Sequence, residues 1–138
     1  MHEQIEHTAD VGLRVQAASL DALFAEAGEG FMELIVPNLA DVRPNRSLNV
    51  DLASDRLEDL FCDWLSELLY IFETQRLVLC RFEVQVNGDG PSLHARVEGE
   101  PLNTTRHHLG YEIKAVTYHQ LRLKRTDTGW LAEVIVDI

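Results

Sequence analysis

Leu57-Glu58-Asp59-Leu60-Phe61-Cys62-Asp63-Trp64-Leu65-Ser66-Glu67-Leu68-Leu69 decides how the chain is read. Leu57, Leu60, Phe61, Trp64, Leu65, Leu68 and Leu69 recur at three- and four-residue intervals. That spacing puts them on one stripe of an α-helix, and the stripe must be covered by other apolar surface. Ser54-Asp55, with Glu58 three residues after Asp55, predicts the start of this helix as a capping box. On its N-terminal side, Leu20, Leu23, Phe24, Ala27, Phe31 and Leu34 repeat the helical spacing behind a Ser19 cap, and Pro37-Asn38 ends that segment. Gly28 and Gly30 lie inside it, each costing about 1 kcal/mol relative to Ala. Alternation over Leu13–Ala17, and again at Leu48, Val50 and Leu52, predicts a strand before each helix.

Downstream the period changes to two. Cys80, Phe82, Val84 and Val86 alternate up to Asn87-Gly88-Asp89-Gly90, a hairpin signal. Leu93, Ala95 and Val97 form the returning strand, which Gly99-Glu100-Pro101 is expected to break. A long strand is expected from Ile113 to Arg125, bent near Tyr118-His119. Asp127-Thr128-Gly129 turns the chain, and Trp130, Ala132, Val134, Val136 and Ile138 share one face of a final strand. The class is therefore α+β, with two helices packed on a mostly antiparallel or mixed β-sheet in a single domain over residues 1–138.

The 138 residues include 12 Lys and Arg against 23 Asp and Glu, a net charge of -11. Phosphate neutralisation by basic side chains supplies much of nucleic-acid affinity, so stable direct nucleic-acid binding is not expected. The densest basic stretch is Leu121-Arg122-Leu123-Lys124-Arg125. A cationic protein partner suits the charge. No apolar run reaches the roughly 18 residues needed to span a bilayer. The polar opening Met1–Glu6 argues against a secretory signal peptide, so a cytoplasmic location without membrane contact is expected. Cys62 and Cys80 lie far apart in apolar patterns and read as buried thiols rather than a zinc or redox pair.

Three segments concentrate residues with chemistry. In His7-Thr8-Ala9-Asp10-Val11-Gly12, a Gly soon after an Asp suggests a tight turn. Asp10 there is a metal ligand, a general base, or a turn Asp bonding its own backbone. In Asp137-Ile138, a side-chain carboxylate and the terminal carboxylate come close together. Such oxygens favour Ca²⁺ or Mg²⁺ over zinc, unless the segment is simply a fraying end. In Lys114-Ala115-Val116-Thr117-Tyr118-His119, Lys114 is either a cationic contact or a snorkelling strand residue. No P-loop, GxGxxG, GxSxG or HExxH pattern is present.

Together these segments, with Val134-Ile135-Val136 before the terminal Asp-Ile, resemble the archease family. Leu57–Leu69 is similar to that family's second helix, and Gly99-Glu100 with His107 or His108 to its "GE…H" stretch. The resemblance implies a non-enzymatic protein cofactor of the RtcB-type RNA ligase. That ligase uses Mn²⁺ and GTP to join a 3′-phosphate to a 5′-hydroxyl in tRNA splicing and RNA repair. The cofactor promotes ligase guanylylation and multiple turnover. The resemblance also implies a metal site, most like Ca²⁺, formed by Asp10, Asp137 and Ile138, with Lys114 on the functional surface. His7 and His119 lie in the same motifs. Alternative readings are a metal-dependent phosphoesterase or hydrolase and a chaperone-like modulator of RNA-modifying enzymes.

Overall fold

A computed structural model describes residues 9–138. Strand β1 (Asp10–Ala17) leads into helix α1 (Leu20–Ile35), and a short 3-10 turn (Leu39–Asp41) precedes β2 (Arg46–Ala53). Helix α2 (Leu57–Gln75) follows, then β3 (Leu77–Asn87), β4 (Ser92–Pro101), β5 (Ala115–Thr126) and β6 (Gly129–Asp137). The strands form two three-stranded sheets, ordered β1-β6-β5 and β2-β4-β3, with every pairing antiparallel. This is the expected α+β class, its strands shared between two sheets.

The helices join the sheets. Helix α1 packs on β1 and β3, and α2 packs on β5 and β3. The predicted stripe is the buried one: Leu60, Phe61, Trp64, Leu65 and Leu68 are fully covered. Trp64 also donates its indole N–H to the Phe24 carbonyl at 2.8 Å, tying α2 to α1. The rings of Phe24 and Phe61 meet edge to face at 5.2 Å, a geometry favoured by the ring quadrupoles. Gly28 repays its helical cost by close packing. A Cβ there would meet the Phe82 ring at 3.0 Å and Leu68 at 3.3 Å.

Ser19 caps α1 as predicted, its Oγ accepting from Ala22 N–H at 3.1 Å. The capping box expected at Ser54-Asp55 does not form. Arg56 is the N-cap of α2 and makes no side-chain cap bond. Ser54 instead donates its backbone N–H to Pro91 O at 3.0 Å and its hydroxyl to Asp63 Oδ2 at 2.7 Å. Its backbone is therefore still held at the hairpin end of the second sheet, where it cannot cap.

Gly99-Glu100-Pro101 does not break its strand either, because β4 continues through Pro101. At the Leu79/Arg81 register shift, β3 carries one extra residue opposite β4. The backbones approach so closely there that a Cβ on Gly99 would lie 1.9 Å from Val78 O. Gly99 is required by the bulge, and Pro101 is tolerated at the strand's end. Strand β5 begins at Ala115 rather than Ile113. It bends where expected: the pairing with β6 shifts between Thr117 and Arg122, and Gln120 takes a left-handed φ of 55°.

Candidate functional site

The structure brings Asp10, Asp137, Ile138 and Lys114 to one end of the β1-β6-β5 sheet. Asp10 does not sit in a turn; it opens β1 directly opposite Asp137 of β6. Gly12 lies within the same ladder, opposite Ile135. The strand extends this far because Val11, Leu13 and Val15 keep a period of two that packs them against the core. Ile138 N–H donates to Ala9 O at 2.9 Å. That bond makes Ala9 and Ile138 a hydrogen-bonded pair, so the adjacent Asp10–Asp137 pair is of the non-hydrogen-bonded kind, where side chains come closest, with Cβ atoms about 4.5–5.5 Å apart. Both aspartates are exposed on the outward face. Like charges so opposed destabilise a sheet, and a bound cation would reverse the sign.

Lys114 lies just before β5 and donates its backbone N–H to Asp137 O at 2.8 Å. Among the described residues, no three His, Cys, Asp or Glu side chains converge on a metal position. The described side-chain donor set is therefore the two opposed carboxylates of Asp10 and Asp137. It fits a hard cation that retains several waters, and not a tetrahedral zinc site. His7 lies outside the described residues.

The segment 102–114, which carries Lys114, contains no helix or strand. It is pinned at intervals. Leu102 N–H bonds Arg76 O at 2.7 Å, and Gly110 and Tyr111 donate to Ile35 O and Leu34 O at 2.8 Å each. Asn38, which in the sequence only marked the end of a helix, donates to Arg106 O at 2.9 Å and accepts from His108 N–H at 2.8 Å. The strongest clasp is Glu100, which with His107 makes up the buried polar side chains among the described residues. Glu100 Oε2 accepts from Arg43 N–H at 2.8 Å and faces His107 Nε2 at 3.0 Å, while Oε1 accepts from Arg106. His107 Nδ1 accepts from Asn103 N–H at 2.9 Å. The proton therefore sits on Nε2 and is donated to Glu100. Burial alone would raise the Glu100 carboxyl, but hydrogen bonds from Arg106, Arg43 and His107 outweigh it and hold it at about 2. Of the two histidines left open by the sequence, His107 is the partner of Glu100, and its role here is architectural.

Lys114 and His119 do not share a site. Lys114 is at the tip, whereas Tyr118 and His119 sit in the β5 bulge. His119 is exposed, and its backbone N–H bonds Thr117 Oγ1 at 3.2 Å. Tyr118 leans toward α2, where partial desolvation and then Cys62, Asp59 and Asp63 raise its hydroxyl pKa. Both cysteines are free; Cys62 is buried, as the pattern implied, and Cys80 is half-buried. Burial, followed by the charges of Asp63 and Asp59, pushes the Cys62 thiol to about 11.

An acidic α+β domain that displays a carboxylate pair at the end of one sheet is the class that this fold and tip define. The chain matches the archease protein family over residues 2–138. It is 38% identical to the protein archease of Methanosarcina acetivorans, over 99% of this chain and 95% of that protein. It is 35% identical to the protein archease of Methanopyrus kandleri, over 99% and 98%. Its fold is similar to the solution structure of Methanobacterium thermoautotrophicum protein 1598, with a TM-score of 0.79 and 29% identity over 95% of this chain and 94% of that one. It also matches the fold of a Thermotoga maritima archease described as a possible chaperone, with a TM-score of 0.65 and 22% identity over 100% and 98%. The protein belongs to the archease family. No helix among the described residues is long and apolar enough to cross a membrane.

Proposed function

We propose that this protein is a non-enzymatic activator of an RtcB-type RNA ligase, promoting guanylylation and multiple turnover during tRNA splicing and RNA repair in the cytoplasm. One observation carries the reading: in a chain of this family, the register sets Asp10 directly opposite Asp137 and bonds Lys114 N–H to Asp137 O. Asp10, Asp137 and a main-chain oxygen of Ile138 would hold a divalent cation, most like Ca²⁺. The cation supplies charge compensation for the opposed carboxylates and a fixed polar contact for the partner. Asp10 and Asp137 present oxygens on one face, and the pinned segment 102–114 keeps Lys114 beside them. Lys114 contributes the tip's positive charge, while the net charge of -11 suits docking near a cationic cleft. His7 and His119 belong to the functional surface in this reading, with His119 in the β5 bulge rather than at the tip.

The test measures guanylylation of a cognate RtcB-type ligase with GTP and Mn²⁺, with this protein at substoichiometric amounts. Acceleration over many turnovers is expected, and Asp10→Ala or Asp137→Ala should abolish it while the fold survives. An active ligase that does not respond to the folded protein refutes the reading. Unchanged acceleration by both variants refutes the role of the tip.

A further inference from the structure

The outward face of the β1-β6-β5 sheet changes sign along its length. Moving from the acidic tip, the cross-strand sets are Asp10/Asp137/Ala115, Gly12/Ile135/Thr117, Arg14/Glu133/Arg122 and Gln16/Leu131/Lys124. Arg14 places Nε at 3.1 Å and Nη2 at 2.9 Å from Glu133 Oε2. Arg122 places Nη1 at 3.2 Å from Glu133 Oε1. One carboxylate thus sits between two guanidiniums. Lys124 follows Arg122 by two residues on the same face, about 6.7 Å along the strand. Among the described residues it forms no ion pair. Three cations against one anion leave this half of the face positive, within a chain whose net charge is -11.

The β5 bulge opens space beside this cluster. Thr117 pairs with Ile135 and Arg122 with Glu133, so residues 118–121 pass the single Val134. The resulting groove, about 810 Å³, is bordered by Gly12, Arg14, Gln120, Arg122, Glu133 and Ile135. A Cβ on Gly12 would meet nothing within 4 Å among the described residues, which leave the groove open above β1.

Stability does not account for the arrangement. The Arg14 and Arg122 side chains are 66% and 55% exposed, and exposed ion pairs contribute little to folding. Among the described residues each guanidinium also keeps unused donors: Nη1 of Arg14, and Nε and Nη2 of Arg122. Both guanidiniums are partly engaged by Glu133, whose carboxylate competes with a ligand anion for them. Planar forks of this kind match phosphate oxygens. Among the described residues no aromatic side chain borders the groove, so they offer no platform for stacking a base.

We propose that this groove is a binding site for a phosphate group, held by the free donors of Arg14 and Arg122 and by Lys124 Nζ, with the Gln120 amide at its rim. The phosphate is that of a free nucleotide or of the backbone of a single RNA strand. The site is separate from the tip and does not depend on the ligase reading.

The test is a titration of the ¹⁵N-labelled full chain at low salt with inorganic pyrophosphate, GTP and a short oligouridylate. Saturable shifts at the Gly12, Gln120 and Ile135 amides are expected. Arg14→Gln and Arg122→Gln should each weaken binding about tenfold. Glu133→Gln frees both forks and removes one negative charge, so it should tighten binding by about threefold or more. Lys124→Gln, which breaks no hydrogen bond or ion pair among the described residues, should weaken it as well. If RNA is the source, oligouridylate binds more tightly than GTP, with a log–log salt slope of about −0.7 for each phosphate engaged. Equal affinities identify an isolated phosphate. The proposal is overturned if pyrophosphate gives no saturable shift by about 10 mM, since millimolar affinity is the weakest that counts as a site. It is also overturned if the arginine variants bind unchanged, if Glu133→Gln weakens binding, or if a hexaglutamate peptide binds more tightly than every phosphate probe.

Discussion

Replacing Glu100 by Gln keeps the side chain's shape and removes its charge. In the native clasp one carboxylate serves Arg106, Arg43 N–H and His107. Gln offers a single oxygen and adds two donors. His107 cannot respond by switching tautomer, because its Nδ1 is already taken by Asn103 N–H. At least one buried donor is therefore left unsatisfied. Breaking a buried charged pair costs about 3–5 kcal/mol, and Arg106, partly exposed, recovers some of that in water. The carboxyl itself supplies a second measure. Its fall from 4.5 to about 2 corresponds to on the order of 3 kcal/mol. Both routes predict a loss of about 3 kcal/mol for Glu100→Gln, read by urea denaturation at neutral pH. The pH dependence follows the depressed native value. The Glu100 contribution is complete above its ordinary pKa of 4.5 and is lost as pH falls toward about 2. The wild type should lose this stability across that window and the variant should not. Hydrogen exchange at Lys114 N–H should speed up, because segment 102–114 loses its main clasp. A stability loss under about 0.5 kcal/mol, or identical acid profiles, would refute the reasoning.

Three further outcomes are expected. Asp137→Asn relieves the like-charge pairing with Asp10, so the metal-free protein should gain roughly 0.5 kcal/mol while the rise in Tm on adding Ca²⁺ disappears; a variant that still gains Tm with Ca²⁺ contradicts the assignment. Gly99→Ala would drive a Cβ into Val78 O, forcing β3 off β4 at the bulge, and should cost about 3 kcal/mol or more in a thermal melt. Cys62, with its thiol pushed to about 11, should resist iodoacetamide at pH 8 in the native protein and react on unfolding; rapid native alkylation mapped to Cys62 by mass spectrometry would contradict its burial.

Much of the fold was legible because its signals are local. The Leu57–Leu69 stripe, the Ser19 cap, the Asn87–Gly90 turn and the bend near Tyr118 all depend on residues a few positions apart. The readings at Ser54 and at Gly99-Glu100-Pro101 failed where a long-range contact overruled local propensity. Pro91 held the Ser54 backbone at the sheet, and a bulge in β3 made the glycine a requirement of the strand rather than its end. Asn38 and Arg106 carried no sequence signal for the loop clasp: Asn38 meets His108 70 residues on, and Arg106 reaches from a segment without periodicity back to Glu100 in β4.

By itself, the sequence determined the α+β class, the buried helix stripes, the acidic surface and the candidate residues Asp10, Asp137 and Lys114. Periodicity and charge are written along the chain, and a resemblance can be read from short motifs. Only the tertiary structure decided that Asp10 faces Asp137, that Glu100 chooses His107, and that Lys114 parts from His119. Each of these depends on strand register and on a bulge, and a shift of one residue in either would send the same side chains to the opposite face.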